Sequence, residues 1–147
     1  MNPPFDQRLS PETRLLLAAS RPFLTDEEGR ELPSLCPPSL DWKRLLFLVN
    51  WHRMPGLVYH HLEQYAADRL PAGFARALGQ AYEKNRQREM RQAAELVRLQ
   101  QMLDEKGLTA AFFKGPILSI QLYGSLGLRH SRDIDLLMRP EDIEPVS

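Results

Sequence analysis

Asp133 and Asp135 stand one residue apart in the run Arg-Asp-Ile-Asp-Leu-Leu-Met. On a strand, such a pair shares one face, while Ile134 and Leu136 turn to the other and into the core. Two neighbouring carboxylates repel unless something positive lies between them. A hard divalent cation, Mg²⁺ or Mn²⁺, takes oxygen ligands and commonly keeps substrate phosphates as its other partners. Asp133 and Asp135 are therefore the candidate metal ligands and catalytic carboxylates. Upstream, Lys114-Gly115-Pro116 reads as a turn into a helix. Gly is tolerated at an N-cap, and Pro at the first position loses no hydrogen bond. The free N–H groups and positive dipole end of such a helix attract phosphate, and Gly115 lets it approach the backbone. Lys114 could assist. Arg129 and Arg132 precede the carboxylates, where a triphosphate would carry excess negative charge. Arginine binds phosphate bidentately and stays charged, although each could equally pair with an Asp or Glu. Asp-x-Asp alone is commonly a solvated strand face, and Lys-Gly before a helix is equally weak. Together, in this order, they point to nucleoside triphosphate chemistry.

These groups need elements to hold them. Leu108 to Phe113, bounded by Gly107 and Gly115, predicts a buried strand. A helix follows to Tyr123, with Gly124 in the left-handed cap position. A loop leads to a second strand, Asp133 to Met138, closed by Pro140. Earlier, Ser10-Pro11-Glu12 opens a helix that ends near Arg21-Pro22. Residues 21–38, with four prolines and Gly29, read as loop. Ser39 or Asp41 caps a second helix carrying Trp42, Leu45, Leu46 and Val49 on one face. A third runs from about Pro55 to Ala67, and the longest from Pro71 to about Lys106. The stripe of that helix is apolar at Phe74 and Leu78, polar at Asn85 and Glu89, and apolar again at Leu96 to Leu103. The polar middle reads as a solvated face with i,i+3 and i,i+4 charge pairs. The alternative turns Asn85 and one of Arg86, Arg88 and Arg91 toward a cleft. His52, His60 and His61 read as packing or surface imidazoles, and His130 as a solvated loop residue.

Phe113-Lys114-Gly115, Leu122-Tyr123, Gly127-Leu128-Arg129 and Asp133-Ile134-Asp135-Leu136-Leu137 resemble the uncharacterised nucleotidyltransferase family of the DNA-polymerase-β-like superfamily. The resemblance extends upstream through Asp41-Trp42, Leu45-Leu46, His52, Leu57, Tyr59, Tyr82 and Asn85, and so covers most of the chain from about residue 40. It implies a small mixed sheet, a glycine turn into a helix, and an Asp-x-Asp strand that binds Mg²⁺. One departure is the spacing. Many superfamily members read Gly-Ser and then Asp-x-Asp. Here seven residues separate Ser125 from Asp133, and seventeen separate Gly115 from it. Gly115 is preferred because it follows a strand and opens a helix.

The 147 residues, 43% hydrophobic and 26% charged, are ordinary for a globular chain. Nineteen basic and nineteen acidic residues give a formal net charge of zero. Charge therefore supplies no tract argument for nucleic acid and no polybasic membrane anchor. Cys36 is the only cysteine, which leaves no internal disulfide and no cysteine zinc site and fits a reducing cytoplasm. No signal peptide or membrane-spanning run is apparent.

The expected fold is α+β: a helical region, 1–106, and then the first half of a nucleotidyltransferase sheet, 107–147. The implied reaction transfers a nucleoside monophosphate from an NTP to an unidentified acceptor, with Asp133 and Asp135 on the metal and Lys114, Gly115, Arg129 and Arg132 toward the phosphates. The resemblance also implies a third carboxylate on a later strand. Glu141, Asp142 and Glu144 instead follow Pro140 as a helix start. The catalytic site is thus expected to be incomplete in this chain, and an open two-strand face to favour self-association. A nucleotide-binding protein without turnover, or a helical interaction scaffold, is the alternative.

Overall fold

The structure, a computed structural model, describes residues 8–143. Glu144 and the residues after it lie outside them. The chain is α+β: the described residues form six α-helices and a two-stranded antiparallel sheet. The helices are α1 (Pro11–Ala19), α2 (Asp26–Glu31), α3 (Trp42–Trp51), α4 (Pro55–Tyr65), α5 (Ala72–Glu105) and α6 (Gly115–Tyr123). The strands are β1 (Ala110–Phe113) and β2 (Asp135–Met138). No helix among the described residues is long and apolar enough to cross a membrane.

The first four helices and the start of α5 enclose the core. Leu15, Leu45, Val49, Val58, Leu62 and Leu78 are fully buried there, each contributing about 1.5–3 kcal/mol. Ser10 caps α1 by accepting from the Thr13 N–H, and Asp41 caps α3 by accepting from Arg44. His61 is buried and bonds through Nδ1 to the Ala19 carbonyl at 2.9 Å, tying α4 to the end of α1. Cys36 is buried, and burial pushes its thiol up to about 11.

Residues 21–38 are not all loop. Thr25 and Glu28 form a capping box that starts α2, and a 3₁₀ turn, Leu32–Leu35, continues it. The box satisfies two orphan N–H groups reciprocally, and Leu32 fastens the segment to the core at 1% exposure. Gly29 lies so close to the Tyr65 ring that a Cβ would meet it at 2.4 Å.

Both strands are shorter than the sequence predicts. Leu108 belongs to the end of α5: its N–H bonds to Leu103 O and that of Gly107 to Asp104 O, a Schellman closure with Gly107 left-handed. At the other end of the sheet, Phe113 pairs with Asp135. The next residue, Lys114, has φ +61° and ψ −155° and turns into α6. Nothing is left to pair with Ile134 or Asp133, so β2 begins at Asp135 and Asp133 lies just outside it.

Candidate functional site

Across an antiparallel ladder, opposed residues share a face. Asp135 therefore lies with Phe113, Ala111 and Leu137 on the exposed side, and Phe112 and Leu136 turn inward. The Lys114 ammonium stands 3.3 Å from Asp135 Oδ2. Gly115 is buried against the segment before β2. A Cβ there would meet the Asp133 carbonyl at 3.3 Å and Ser131 Oγ at 3.5 Å. Arg129 Nη1 comes within 3.5 Å of the Gly115 carbonyl. The fold thus brings together Lys114, Gly115, Arg129, Asp133 and Asp135. Among the described residues, no cluster of three or more His, Cys, Asp or Glu could hold a metal ion.

Arg132 does not join that group. In the segment from Arg129 to Asp133 the residues divide by parity. Arg129, Ser131 and Asp133 contact Gly115, whereas His130 and Arg132 line a cleft of about 290 Å³ beside Arg53, Lys84 and Arg88. Arg132 and Arg88 also border a second depression that reaches Asp133. His130 is not a solvated loop residue. Its Nε2 lies 2.6 Å from Arg88 Nη1. Since arginine can only donate, the imidazole accepts and is neutral. Burial first, then the nearby Arg88, Arg53, Arg132 and Arg129, hold its pKa below the ordinary imidazole value.

The middle of α5 positions the loop, and its centre is not a solvated face. Asn85 is 3% exposed and donates both amide hydrogens, to Gly127 O and Arg129 O, each at 2.9 Å. Glu89 is fully buried and accepts from the Ser119 hydroxyl and the Gly127 N–H. These two side chains fasten the 127–129 loop and α6 to α5. Arg86 pairs with Glu83 on the surface as expected, as Arg98 does with Glu95 further along the helix. Gly56 of α4 and Gly127 make the approach possible. A Cβ on Gly56 would stand 2.2 Å from Gly127 O, and one on Gly127 would stand 2.9 Å from Arg86 Cβ at φ +97°. Tyr59 and Tyr82 stack at 4.6 Å beside the loop and join α4 to α5.

Sequence reasoning gave Glu89 no such role. The available signal was an acid on the apolar stripe of a helix, where burial demands partners. Glu89→Ala is expected to cost about 3 kcal/mol, because two buried donors lose their acceptor, and Glu89→Gln less, because its amide oxygen still accepts. Urea melts of the three proteins check this, and equal midpoints for wild type and Glu89→Ala would refute it.

Two non-glycine residues among those described have positive φ, Arg53 at +57° and Lys114 at +61°. Such conformations cost of order 1–3 kcal/mol and concentrate at functional sites. Here both residues are cations, one in the cleft and one at the glycine turn. Compared with known proteins, the chain matches a family model described as an uncharacterised nucleotidyltransferase over residues 38–147. Neither the curated proteins nor the solved structures yield a match.

Proposed function

This chain belongs to the uncharacterised nucleotidyltransferase family, and from that premise we propose that it supplies the nucleotide end of a transferase site. The reaction is transfer of a nucleoside monophosphate from an NTP to an acceptor, with release of pyrophosphate. One observation carries the reading: Gly115 packs on the Asp133 backbone while Lys114 reaches Asp135. The proposed phosphate turn and the segment that bears both carboxylates are thereby brought together across seventeen intervening residues.

The donor set suits a hard divalent ion. Asp133 and Asp135 offer carboxylate oxygens, and Mg²⁺ binds through one or two carboxylates with phosphates completing its shell. Once bound, the ion would neutralise charge developing on the transferred phosphoryl group. The chain's own groups do the positioning. The N–H groups at the start of α6 face incoming phosphate, and the dipole of that helix favours its charge. Lys114, now paired with Asp135, is placed to exchange that carboxylate for a phosphate oxygen. Arg129 braces the turn through the Gly115 carbonyl. Within the described residues, the helical part, 8–106, supports the sheet part, 107–143, chiefly through α5. The buried thiol of Cys36 fits a reducing cytoplasm.

The two glycines discriminate. A Cβ at Gly124, the left-handed cap of α6, meets nothing within 4 Å, unlike one at Gly115. Gly115→Val is therefore expected to weaken MgATP or MgGTP binding on the order of tenfold more than Gly124→Val, measured at matched folded fraction. The reverse ranking would make Gly124-Ser125 the phosphate turn. Triphosphate binding without pyrophosphate release would leave a binding protein rather than a transferase.

A further inference from the structure

Formal net charge is zero over the whole chain, yet one cleft collects cations from three separate segments. Arg53 comes from the turn between α3 and α4, Lys84 and Arg88 from α5, and Arg132 from the segment before β2. Among the described residues no carboxylate lines this cleft, and none forms an ion pair with any of the four. Like charges gathered in this way repel, and an anion relieves the repulsion. His130 stays neutral among them.

One further observation singles out Arg53. Arg53 occupies the left-handed position that closes α3: its N–H bonds to Asn50 O at 3.1 Å, and that of Met54 to Val49 O at 2.9 Å. Glycine is the usual residue there, so an arginine is held against its backbone preference with its side chain at the cleft.

We propose that this cleft binds a phosphate monoester carried by the acceptor substrate. The assignment rests on the nucleotidyltransferase reading and names the acceptor's class within it. The triphosphate has its own cradle at Gly115, which packs on Ser131, Asp133 and Arg129 and does not line the cleft. The two sites communicate through Arg88 and Arg132, which border both the cleft and the depression reaching Asp133. An acceptor anchored by its phosphate in the cleft can extend a nucleophilic group along that path toward the carboxylates.

The test uses the full chain without triphosphate or divalent ion, so that its failure is distinct from failure of the transferase reading. Inorganic phosphate, and glucose 6-phosphate against glucose, are titrated while backbone amide shifts are followed by NMR. Saturable shifts at Arg53, Arg88 and His130 are expected from phosphate and the ester, and none from glucose. Arg53→Gly is the decisive variant. It is expected to raise the melting temperature by about 3 °C, because glycine relieves the left-handed strain, while weakening phosphate binding on the order of tenfold. A purely structural role for Arg53 would move the melt alone. No saturation in the millimolar range, shifts centred on Lys114 and Gly115, or unchanged binding in Arg53→Gly would each overturn the assignment.

Discussion

Asp133→Asn and Asp135→Asn are each expected to weaken divalent-dependent binding of ATP or GTP on the order of tenfold, because one of the two proposed carboxylate ligands is lost. The folded state should survive both. Asp133 is exposed and outside the ladder. Asp135 loses only its partly exposed pair with Lys114, a contact of a kind worth about 0–1 kcal/mol. That pair also alters an expectation from sequence. Two adjacent acids without a metal ought to repel, so that removing one would stabilise the metal-free protein. With the Lys114 ammonium beside Asp135, the repulsion is already offset, and the melting temperature of Asp135→Asn should match or fall slightly below wild type. Titrations with MgATP and MgGTP, and melts with and without them, check both parts. Wild-type affinity and full metal-linked stabilisation in both variants would remove Asp133 and Asp135 from the site.

Gly56→Ala carries the second large effect, and its sign is the informative part. Inside a helix, glycine to alanine ordinarily stabilises by about 0.5–1 kcal/mol. At Gly56, in the first turn of α4, the added carbon would stand 2.2 Å from Gly127 O and 2.5 Å from Leu128 Cα. These are backbone atoms, and no rotamer change clears them. We expect a net loss of about 3 kcal/mol, at the upper end of overpacking costs, with the 127–129 loop pushed off α4 and α5. Arg129 and the residues before β2 would shift with it, so nucleotide binding should fall in the fraction that remains folded. Gly73 in the first turn of α5 is the control, because a Cβ there meets nothing within 4 Å. Gly73→Ala should stabilise. Chemical denaturation of both variants decides the matter, and a stabilised Gly56→Ala would mean that the loop does not pack on α4.

The local grammar of the chain was largely readable. The limits expected for α5, Pro71 and Lys106, fall one residue outside the observed Ala72–Glu105. The cap of α6 at Gly124 follows from glycine's access to the left-handed region. These features depend on neighbours in sequence. What sequence missed depends on distant ones. Asn85 and Glu89 looked like part of a wet helix face because their partners, Gly127, Arg129 and Ser119, lie some 30 to 44 residues away. The limits of β1 and β2 depend on where the opposite strand stops. The Thr25–Glu28 capping box was legible, but a proline-rich setting obscured it. The basic cleft could not be seen in a neutral composition, since its cations assemble only when α5 and the segment before β2 meet the α3–α4 turn.

The α5 helix sets an angular phase for the whole molecule. Leu78 enters the helical core, Asn85 and Glu89 hold the loop, and Leu103 closes the far end near the sheet. These contacts register because each residue advances the helix by about 100° and 1.5 Å. A single residue inserted between Leu78 and Asn85 would leave the core packed but swing Asn85 and Glu89 by about 100° from the loop they hold. Substitutions along the outer face of α5 leave that phase untouched, whereas a change in its length there cannot. The spacing from Leu78 to Glu89 is therefore as much a part of the site as the side chains themselves.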